Sequence, residues 1–197
     1  MSEAQPQPDS AALNGERRII AAGFGGQGAL TLGKLLCVAA MNEGRMVTYL
    51  PSYGAEVRGG TANCQVVLSP KPIYSPVVER ADALLMLNQL SYERFLPRLK
   101  RGGVAVVNSS SVDLSQSDRA PGAELLAVPA GEMAARMGEV RAANIILLGA
   151  CVEFCSLVTV ESCREALKDK FGGREDLLQL NLRALEEGRR QVAGPAD

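Results

Sequence analysis

The 197-residue chain contains no histidine and no tryptophan, and aromatic residues make up only 4% of it. Histidine is the commonest general base near neutral pH and a preferred nitrogen ligand of metals. Its absence removes the side chain on which most acid–base and zinc sites depend. We therefore expect neither a catalytic residue nor a metal ligand in this chain.

The chain also lacks an excess of charge of either sign. It carries 21 Lys and Arg against 22 Asp and Glu, and no basic block stands out. Proteins that bind nucleic acids neutralise phosphates with clustered cations, so a nucleic-acid partner is not expected.

Long apolar segments are scarce. Residues 1–16 form a polar, proline-containing tail without the basic and apolar regions of a signal peptide. The most apolar run, residues 142–160, is interrupted by Asn144, Glu153 and Ser156, which favours a buried helix over a membrane span. Because residues 142–157 are apolar on every face, we expect other chains to bury part of this helix.

The five cysteines do not form a Cys-x-x-Cys pair. Their odd number and apolar surroundings predict buried, reduced thiols in a cytoplasmic protein. An alternative is a cluster site built from Cys151, Cys155 and Cys163, although ferredoxin-type sites use tighter runs.

Alternating strand and helix patterns predict a three-layer, Rossmann-like α/β domain with a mostly parallel sheet and C-terminal helices. We expect one domain over residues 17–193, after a disordered tail over residues 1–16. The expected strands are 17–22, 47–50, 62–68, 83–88, 104–108 and 125–128, and the expected helices are 27–42, 92–99, 142–157, 160–171 and 176–191.

A glycine-rich stretch, GFGGQG at residues 23–28, follows the first expected strand. Its spacing satisfies G-x-G-x-x-G, and free N–H groups at a helix start favour an anion. A dinucleotide site would also need an acid after the second strand, where VTYLPSY has none. The spacing of Gly28, Gly33 and Lys34 also resembles the P-loop motif G-x-x-x-x-G-K-[ST]. The next residue is Leu35, however, where a P-loop has the Ser or Thr that binds Mg²⁺. A tight turn without any ligand stays open as an alternative.

A second glycine-rich stretch, SYGAEVRGG at residues 52–60, follows the second expected strand. Open α/β sheets bind ligands in loops at the carboxyl ends of their strands, and Arg58 suits a phosphate or carboxylate. The alternative is a surface turn in which Glu56 pairs with Arg58.

These two stretches, together with PIYSPVVERADALLMLN, LKRGGVAVVNSS and the C-terminal ANIILLGACVEF and LVTVESCREALKDKFGG, resemble the γ subunit of 2-oxoacid:ferredoxin oxidoreductases. The resemblance extends over about residues 17–190 and includes the pyruvate and ketoisovalerate members. It is strongest toward 2-oxoglutarate and branched-chain enzymes, and indolepyruvate oxidoreductases carry a related domain.

The resemblance implies one subunit of a cytoplasmic enzyme that converts a 2-oxoacid, coenzyme A and oxidised ferredoxin to acyl-CoA, CO₂ and reduced ferredoxin. It implies a 2-oxoglutarate type, inactive alone, with α and β partners and a δ, ferredoxin-like subunit as an optional one. Thiamine diphosphate, Mg²⁺ and Fe–S clusters would belong to the partners. The alternatives are an indolepyruvate-type subunit and a free-standing dinucleotide-binding oxidoreductase.

This chain would help to bind coenzyme A and to cover the active site. The expected binding residues are Gly23, Gly25, Gly26, Gln27, Gly28, Tyr53, Glu56, Arg58, Gly59, Gly60 and Asn88.

Overall fold

The structure is a computed structural model that describes residues 15–53, 61–115 and 122–193. Most of the expected polar tail lies outside these residues. The division into a tail over 1–16 and a single domain over 17–193 therefore stays a prediction.

Within the described residues, six strands form one sheet in the order β2-β3-β1-β4-β5-β6. The strands β1, β4, β5 and β6 pair in parallel, whereas β3 runs antiparallel to both of its neighbours, β1 and β2. Five strands therefore point in one direction and end at the same edge, which we call the carboxyl edge. Their bounds are Arg17–Phe24 (β1), Met46–Tyr53 (β2), Thr61–Ser69 (β3), Ala81–Met86 (β4), Leu99–Asn108 (β5) and Glu124–Val128 (β6).

Helices cover both faces of the sheet, which confirms the three-layer α/β fold. Of the α-helices in the described part of the chain, five pack on one face, where alternate strand residues such as Ile19, Val66 and Leu85 join their core. The sixth packs on the other face, against Ile20, Leu84 and their neighbours. The five are Ala29–Asn42 (α1), Ala130–Arg136 (α3), Ala143–Cys155 (α4), Val160–Phe171 (α5) and Glu175–Ala193 (α6), and the single one is Gln89–Phe95 (α2).

Several element bounds differ from those expected. The first helix begins at Ala29 rather than at residue 27, because Gly28 has the left-handed φ of 83° that ends the preceding turn. The α2 helix ends at Phe95 and continues as a 3-10 turn over Leu96–Arg98, where Pro97 lies in its first turn. Strand β2 extends through Tyr53, three residues into the expected loop. Helix α3 was not expected, since its seven residues are too few for a clear period.

Helix α4 is as apolar as expected, but the chain itself covers it. Residues from Asn144 to Val152 are buried, and the exposed apolar side chain of the helix is Phe154. The expectation that partner chains complete its burial is wrong for this stretch, because α6 packs directly along it. No helix in the described part of the chain is both long and apolar enough to span a membrane.

The contact between α4 and α6 depends on two glycines. A Cβ placed on Gly149 would overlap the carbonyl oxygen of Leu185, and a Cβ on Gly188 would overlap that of Ile146. The two backbones therefore touch where any side chain would separate them. Beside this contact, Arg189 on α6 donates to Glu153 on α4 at 2.8 Å.

Candidate functional site

The glycine-rich stretch forms the turn between β1 and α1, at the carboxyl edge. The N–H of Gln27 donates to the carbonyl of Phe24 at 3.1 Å and closes the turn. Gly26 and Gly28 have left-handed φ values of 93° and 83°, which L-residues rarely adopt. No side chain of the described residues caps the start of α1, so none of them satisfies its first N–H groups.

The glycines of this turn have two different environments. Gly23 lies against the side chains of Gln27 and Leu87, and a Cβ on Gly28 would overlap the amide of Asn144. Gly25 and Gly26 are exposed, and a Cβ on either would meet no atom within 4 Å. Packing therefore explains Gly23 and Gly28, whereas space for an approaching ligand lies over Gly25 and Gly26.

Gln27 and Asn88 are brought together, and each is occupied by the protein. The Gln27 Oε1 accepts from the N–H of Phe24 at 2.7 Å and from Asn88 Nδ2 at 2.9 Å. Asn88 Oδ1 accepts from the N–H of Ser91 at 2.9 Å and so caps α2. The pair fixes the turn against the end of β4, so the geometry gives it a positioning role. Direct contact of either residue with a ligand stays a prediction.

The second glycine-rich stretch connects β2 to β3 at the same edge. Tyr53 ends β2 opposite Ala62, and Thr61 at the start of β3 pairs with Phe24 of β1. The flanks of the two stretches are therefore neighbours. The expected contacts Glu56, Arg58, Gly59 and Gly60 lie outside the described residues, and their roles stay predictions.

The strand order argues against a dinucleotide site. In the dinucleotide-binding fold the second strand lies beside the first, so that an acid at its end reaches the ribose. Here β3 lies between β1 and β2. The end of β2 is therefore about 10 Å from β1, two strand spacings away. Gly33 and Lys34 lie inside α1, as the sequence predicts, and not in a phosphate-binding loop.

A cavity of about 350 Å³ opens beside the turn, on the face that carries α4–α6. The start of α1 borders it without a side-chain cap from the described residues, and the start of α4 borders it as the continuation of a 3-10 turn over Val140–Ala142, in which Glu139 accepts from the N–H of Arg141. Helix N-termini carry partial positive charge, so the start of α1 favours an anion in this cavity. Its lining includes Gly26, Gly28, Asn144, Lys170, Arg174 and Asn181.

The charged side chains of this cavity leave an excess of positive charge. Glu139 and Arg141 pair with each other at 2.9 Å, and this contact lowers the pKa of Glu139 to about 2. Lys170 and Arg174 have no carboxylate within 4 Å among residues 15–53, 61–115 and 122–193. The cavity therefore suits a ligand with negative charge.

Gly26 and Gly28 were predicted from the sequence as binding residues, but the other four cavity residues were not. Lys170 and Arg174 flank the turn between α5 and α6, where cations are common and carry no signal. The signal that could have indicated the cavity is a polar residue at an otherwise apolar, buried position of a helix. Asn144 lies in the apolar α4 and Asn181 lies on the buried side of α6.

The cysteines lie within the helical layer or on the sheet beneath it. Cys37, Cys64, Cys151 and Cys163 are buried, and Cys155 is partly buried. Burial raises the pKa of the Cys37, Cys64 and Cys163 thiols to about 12, and a hydrogen bond with Cys155 together with burial raises that of Cys151. No group of three or more Cys, Asp or Glu side chains among the described residues is placed to hold a metal ion, so the geometry does not support a cluster at Cys151, Cys155 and Cys163.

Comparison with known proteins identifies the class. The model of the pyruvate ferredoxin/flavodoxin oxidoreductase family matches residues 18–191. The chain belongs to this family, as the sequence motifs predict.

Three similar proteins show which members of the family this chain resembles. Subunit VorA of a ketoisovalerate oxidoreductase from Methanothermobacter thermautotrophicus is 40% identical over 88% of this chain and 36% of its own length. The 2-oxoglutarate:ferredoxin oxidoreductase from Magnetococcus marinus, solved with 2-oxoglutarate, coenzyme A and succinyl-CoA bound, superposes with a TM-score of 0.84 at 27% identity, over 93% of this chain and 32% of that one. The γ subunit of a keto/oxoacid ferredoxin oxidoreductase from Geobacter sulfurreducens has a TM-score of 0.76 at 28% identity, over 90% of this chain and 98% of that one.

The lengths of these relatives differ. This chain spans about a third of the VorA subunit and of the M. marinus chain, but nearly the whole of the G. sulfurreducens γ subunit. The family thus includes this domain both within longer chains and as a separate subunit.

Proposed function

We propose that this chain is the γ subunit of a multisubunit 2-oxoacid:ferredoxin oxidoreductase. Family membership over residues 18–191 and the near end-to-end match with a γ subunit support this proposal. The complex would convert a 2-oxoacid, coenzyme A and oxidised ferredoxin to acyl-CoA, CO₂ and reduced ferredoxin.

Within that complex we assign this chain to coenzyme A binding. The observation that carries the assignment is the open turn at Gly25 and Gly26, beside the uncapped start of α1. Backbone N–H groups at such a turn can hold a diphosphate without a side chain in the way. A similar chain was solved with coenzyme A and succinyl-CoA bound, which supports the same ligand here.

The second loop would complete the site from the neighbouring strands. Arg58 would supply a charged hydrogen bond to a phosphate, worth about 1.5–3 kcal/mol when well formed. Glu56 would orient Arg58, and Tyr53, Gly59 and Gly60 would shape the loop around it. Thr61 pairs with Phe24, and Tyr53 pairs with Ala62 one strand further out, so the connection between them ends next to the glycine turn and starts about two strand spacings from it.

The remaining parts of the reaction would be supplied by partner chains. The α and β subunits would hold thiamine diphosphate and Mg²⁺, and β or a δ, ferredoxin-like subunit would hold the Fe–S clusters. This chain would also cover the active site from one side. A cytoplasmic location is part of the proposal, on the evidence of the cysteine pattern.

The 2-oxoacid is proposed as 2-oxoglutarate. The M. marinus enzyme was solved with 2-oxoglutarate, whereas the VorA relative belongs to a ketoisovalerate oxidoreductase. To test this choice, the rate of 2-oxoacid oxidation by the native complex is measured with 2-oxoglutarate, ketoisovalerate, pyruvate and indolepyruvate in turn.

The first experiment isolates the native complex through this chain and measures two half-reactions. Arg58→Ala should raise the Michaelis constant for coenzyme A about tenfold and leave decarboxylation of the 2-oxoacid nearly intact. Arg183→Ala, an exposed arginine on α6, is the control. A fall in both half-reactions would assign Arg58 to assembly or to the active-site cover. No change in either would show that the loop is a surface turn.

A further inference from the structure

We propose that the cavity between the glycine turn and α4–α6 binds the 3′-phosphorylated ribose of coenzyme A. This inference rests on the proposed function, since it places one part of the coenzyme whose diphosphate the glycine turn would hold. The cavity, its charges and its buried amides carry it independently of the second glycine-rich loop.

The positive charge of the cavity comes from two side chains that the described protein leaves without an acidic partner. The Lys170 ammonium lies 5.5 Å from the centroid of the Phe171 ring, and no carboxylate of the described residues pairs with it or with Arg174. Glu175 and Asp176 open α6, where the helix dipole favours acids, but neither lines the cavity. A phosphate monoester, with close to two negative charges, matches these two cations.

Two buried amides add polar groups that the protein does not use fully. Asn144 and Asn181 line the cavity and are 5% and 6% exposed. Asn144 donates to the carbonyl of Gly28 at 3.2 Å and Asn181 to that of Leu177 at 2.7 Å. The amide oxygen of each has no hydrogen-bond partner among the described residues. Neither oxygen is among the fully buried atoms left without a partner, so both are accessible and can accept from a ligand hydroxyl such as the ribose 2′-OH.

The covalent structure of the coenzyme matches the continuity of the two sites. Gly26 belongs both to the open turn and to the cavity lining, and Gly28 joins the turn to Asn144. In coenzyme A, the diphosphate and the 3′-phosphate are attached to the same ribose, at its 5′ and 3′ positions. One ligand can therefore reach the turn with its diphosphate and Lys170 and Arg174 with its 3′-phosphate. A cavity of about 350 Å³ has room for a phosphorylated ribose.

The test compares coenzyme A with 3′-dephospho-coenzyme A, on the native complex that contains the full chain. Arg174→Ala should raise the Michaelis constant for coenzyme A about tenfold, as expected for one lost charged contact, and change that for dephospho-coenzyme A less than about twofold. Lys170→Ala should have the same selective effect, and the double variant should bind the two coenzymes about equally. Arg183→Ala removes the same charge from an exposed site on α6 and should change neither constant.

Equal weakening of both coenzymes by Arg174→Ala would overturn the inference, because the lost contact would not be to the 3′-phosphate. An unmodified complex that uses both coenzymes equally well would also overturn it. Both results leave the proposed function intact, provided that Arg58→Ala still weakens coenzyme A. If the complex used coenzyme A with constants that neither Arg58→Ala nor Arg174→Ala altered, the coenzyme-binding role of this chain would fail as well.

Discussion

The α4–α6 contact and the β1–α1 turn both depend on glycine, but in opposite ways. At Gly149 and Gly188 the space that a side chain would fill is taken by the backbone of the other helix. At Gly25 and Gly26 the same space is empty and exposed. In the first region the missing side chain allows the protein to touch itself, and in the second it leaves N–H groups accessible.

The same difference occurs within the short glycine-rich turn, where some glycines are packed against protein and others are open. G-x-G-x-x-G was selected from the sequence as a unit, yet Gly23 and Gly28 are explained by neighbours that they contact. The positions open to a ligand are the two glycines between them. A glycine whose absent Cβ would meet protein is therefore evidence about the fold. Gly25 is a candidate for function because its Cβ would meet nothing, its φ is not left-handed and it lies in the turn at the carboxyl edge.

The largest expected effect is on stability, at the helix contact. Gly188→Ala places a Cβ onto the carbonyl oxygen of Ile146, and backbone cannot move aside as a side chain can. Alanine would otherwise favour the helix by about 1 kcal/mol, so a net loss isolates the steric cost. We expect a loss of about 3 kcal/mol or more in the free energy of unfolding, measured by urea denaturation of the full chain.

Gly173→Ala is the matched control, because a Cβ there would meet nothing within 4 Å. It should change the free energy of unfolding by less than about 0.5 kcal/mol. Equal stabilities of the two variants would mean that α4 and α6 do not approach as closely as described.

The sequence predicted most of the fold because its signals are local. The apolar strands alternate with helices, Thr159 caps α5 through the N–H of Ser162 as expected, and Gly172 follows its last residue. The short α3 was missed, and partner chains were wrongly expected to cover α4. The first error has a local cause, since seven residues are too few for a clear period. The second concerns a tertiary contact, since the burial of α4 depends on an α6 glycine 39 residues after Gly149.

The candidate site was less predictable than the fold. The glycine turn could be located, because its spacing after a strand is a local signal. The cavity could not, since Asn144, Lys170 and Asn181 come from three different helices and meet only after α4, α5 and α6 have packed. Gln27 and Asn88 were expected to contact a ligand, and the structure shows their amides bound to each other.

Gly28 combines features of the packed helix contact and the open turn, so substituting it should lower the free energy of unfolding by an intermediate amount. Gly28→Ala combines a φ of 83° with overlap of the Asn144 amide, a side chain that can shift. We expect a loss of about 2 kcal/mol in stability. The double variant Gly28→Ala, Asn144→Ala should recover about 1 kcal/mol relative to the sum of the two single changes, because the overlapping amide is gone. Strict additivity would show that the backbone strain alone accounts for the cost.

The helical layer that contains the α4–α6 contact should also respond to alkaline pH. The thiols of Cys37, Cys64 and Cys163 have pKa values of about 12 in the folded chain, against 9.0 when unperturbed. Below pH 9 both states keep these protons. Between pH 9 and 12 the unfolded chain releases them first, so stability falls by about 1.4 kcal/mol per thiol for each pH unit.

Cys37→Ala should therefore reduce the slope of stability against pH above pH 9 by about 1.4 kcal/mol per unit. Val38→Ala, on the same helix, lowers stability without removing a thiol and should keep the slope of the unmodified chain. If the two variants have the same slope, Cys37 ionises in the folded state and is not in a dry core.

The smallest expected effect on stability is at Gly25, and it is the sharpest test of the comparison. A Cβ there would meet nothing within 4 Å, and the residue does not have a left-handed φ, so Gly25→Ala should change the free energy of unfolding by less than about 0.5 kcal/mol. The added methyl group would nevertheless stand where the diphosphate approaches the N–H groups at the start of α1. We expect the Michaelis constant of the native complex for coenzyme A to rise roughly tenfold, equivalent to about 1.4 kcal/mol of lost binding. Gly15→Ala, also open but before β1 at the opposite edge of the sheet, should leave both quantities unchanged. Because the fold does not need Gly25, an unchanged Michaelis constant in the Gly25→Ala complex would assign the open turn no role in binding coenzyme A.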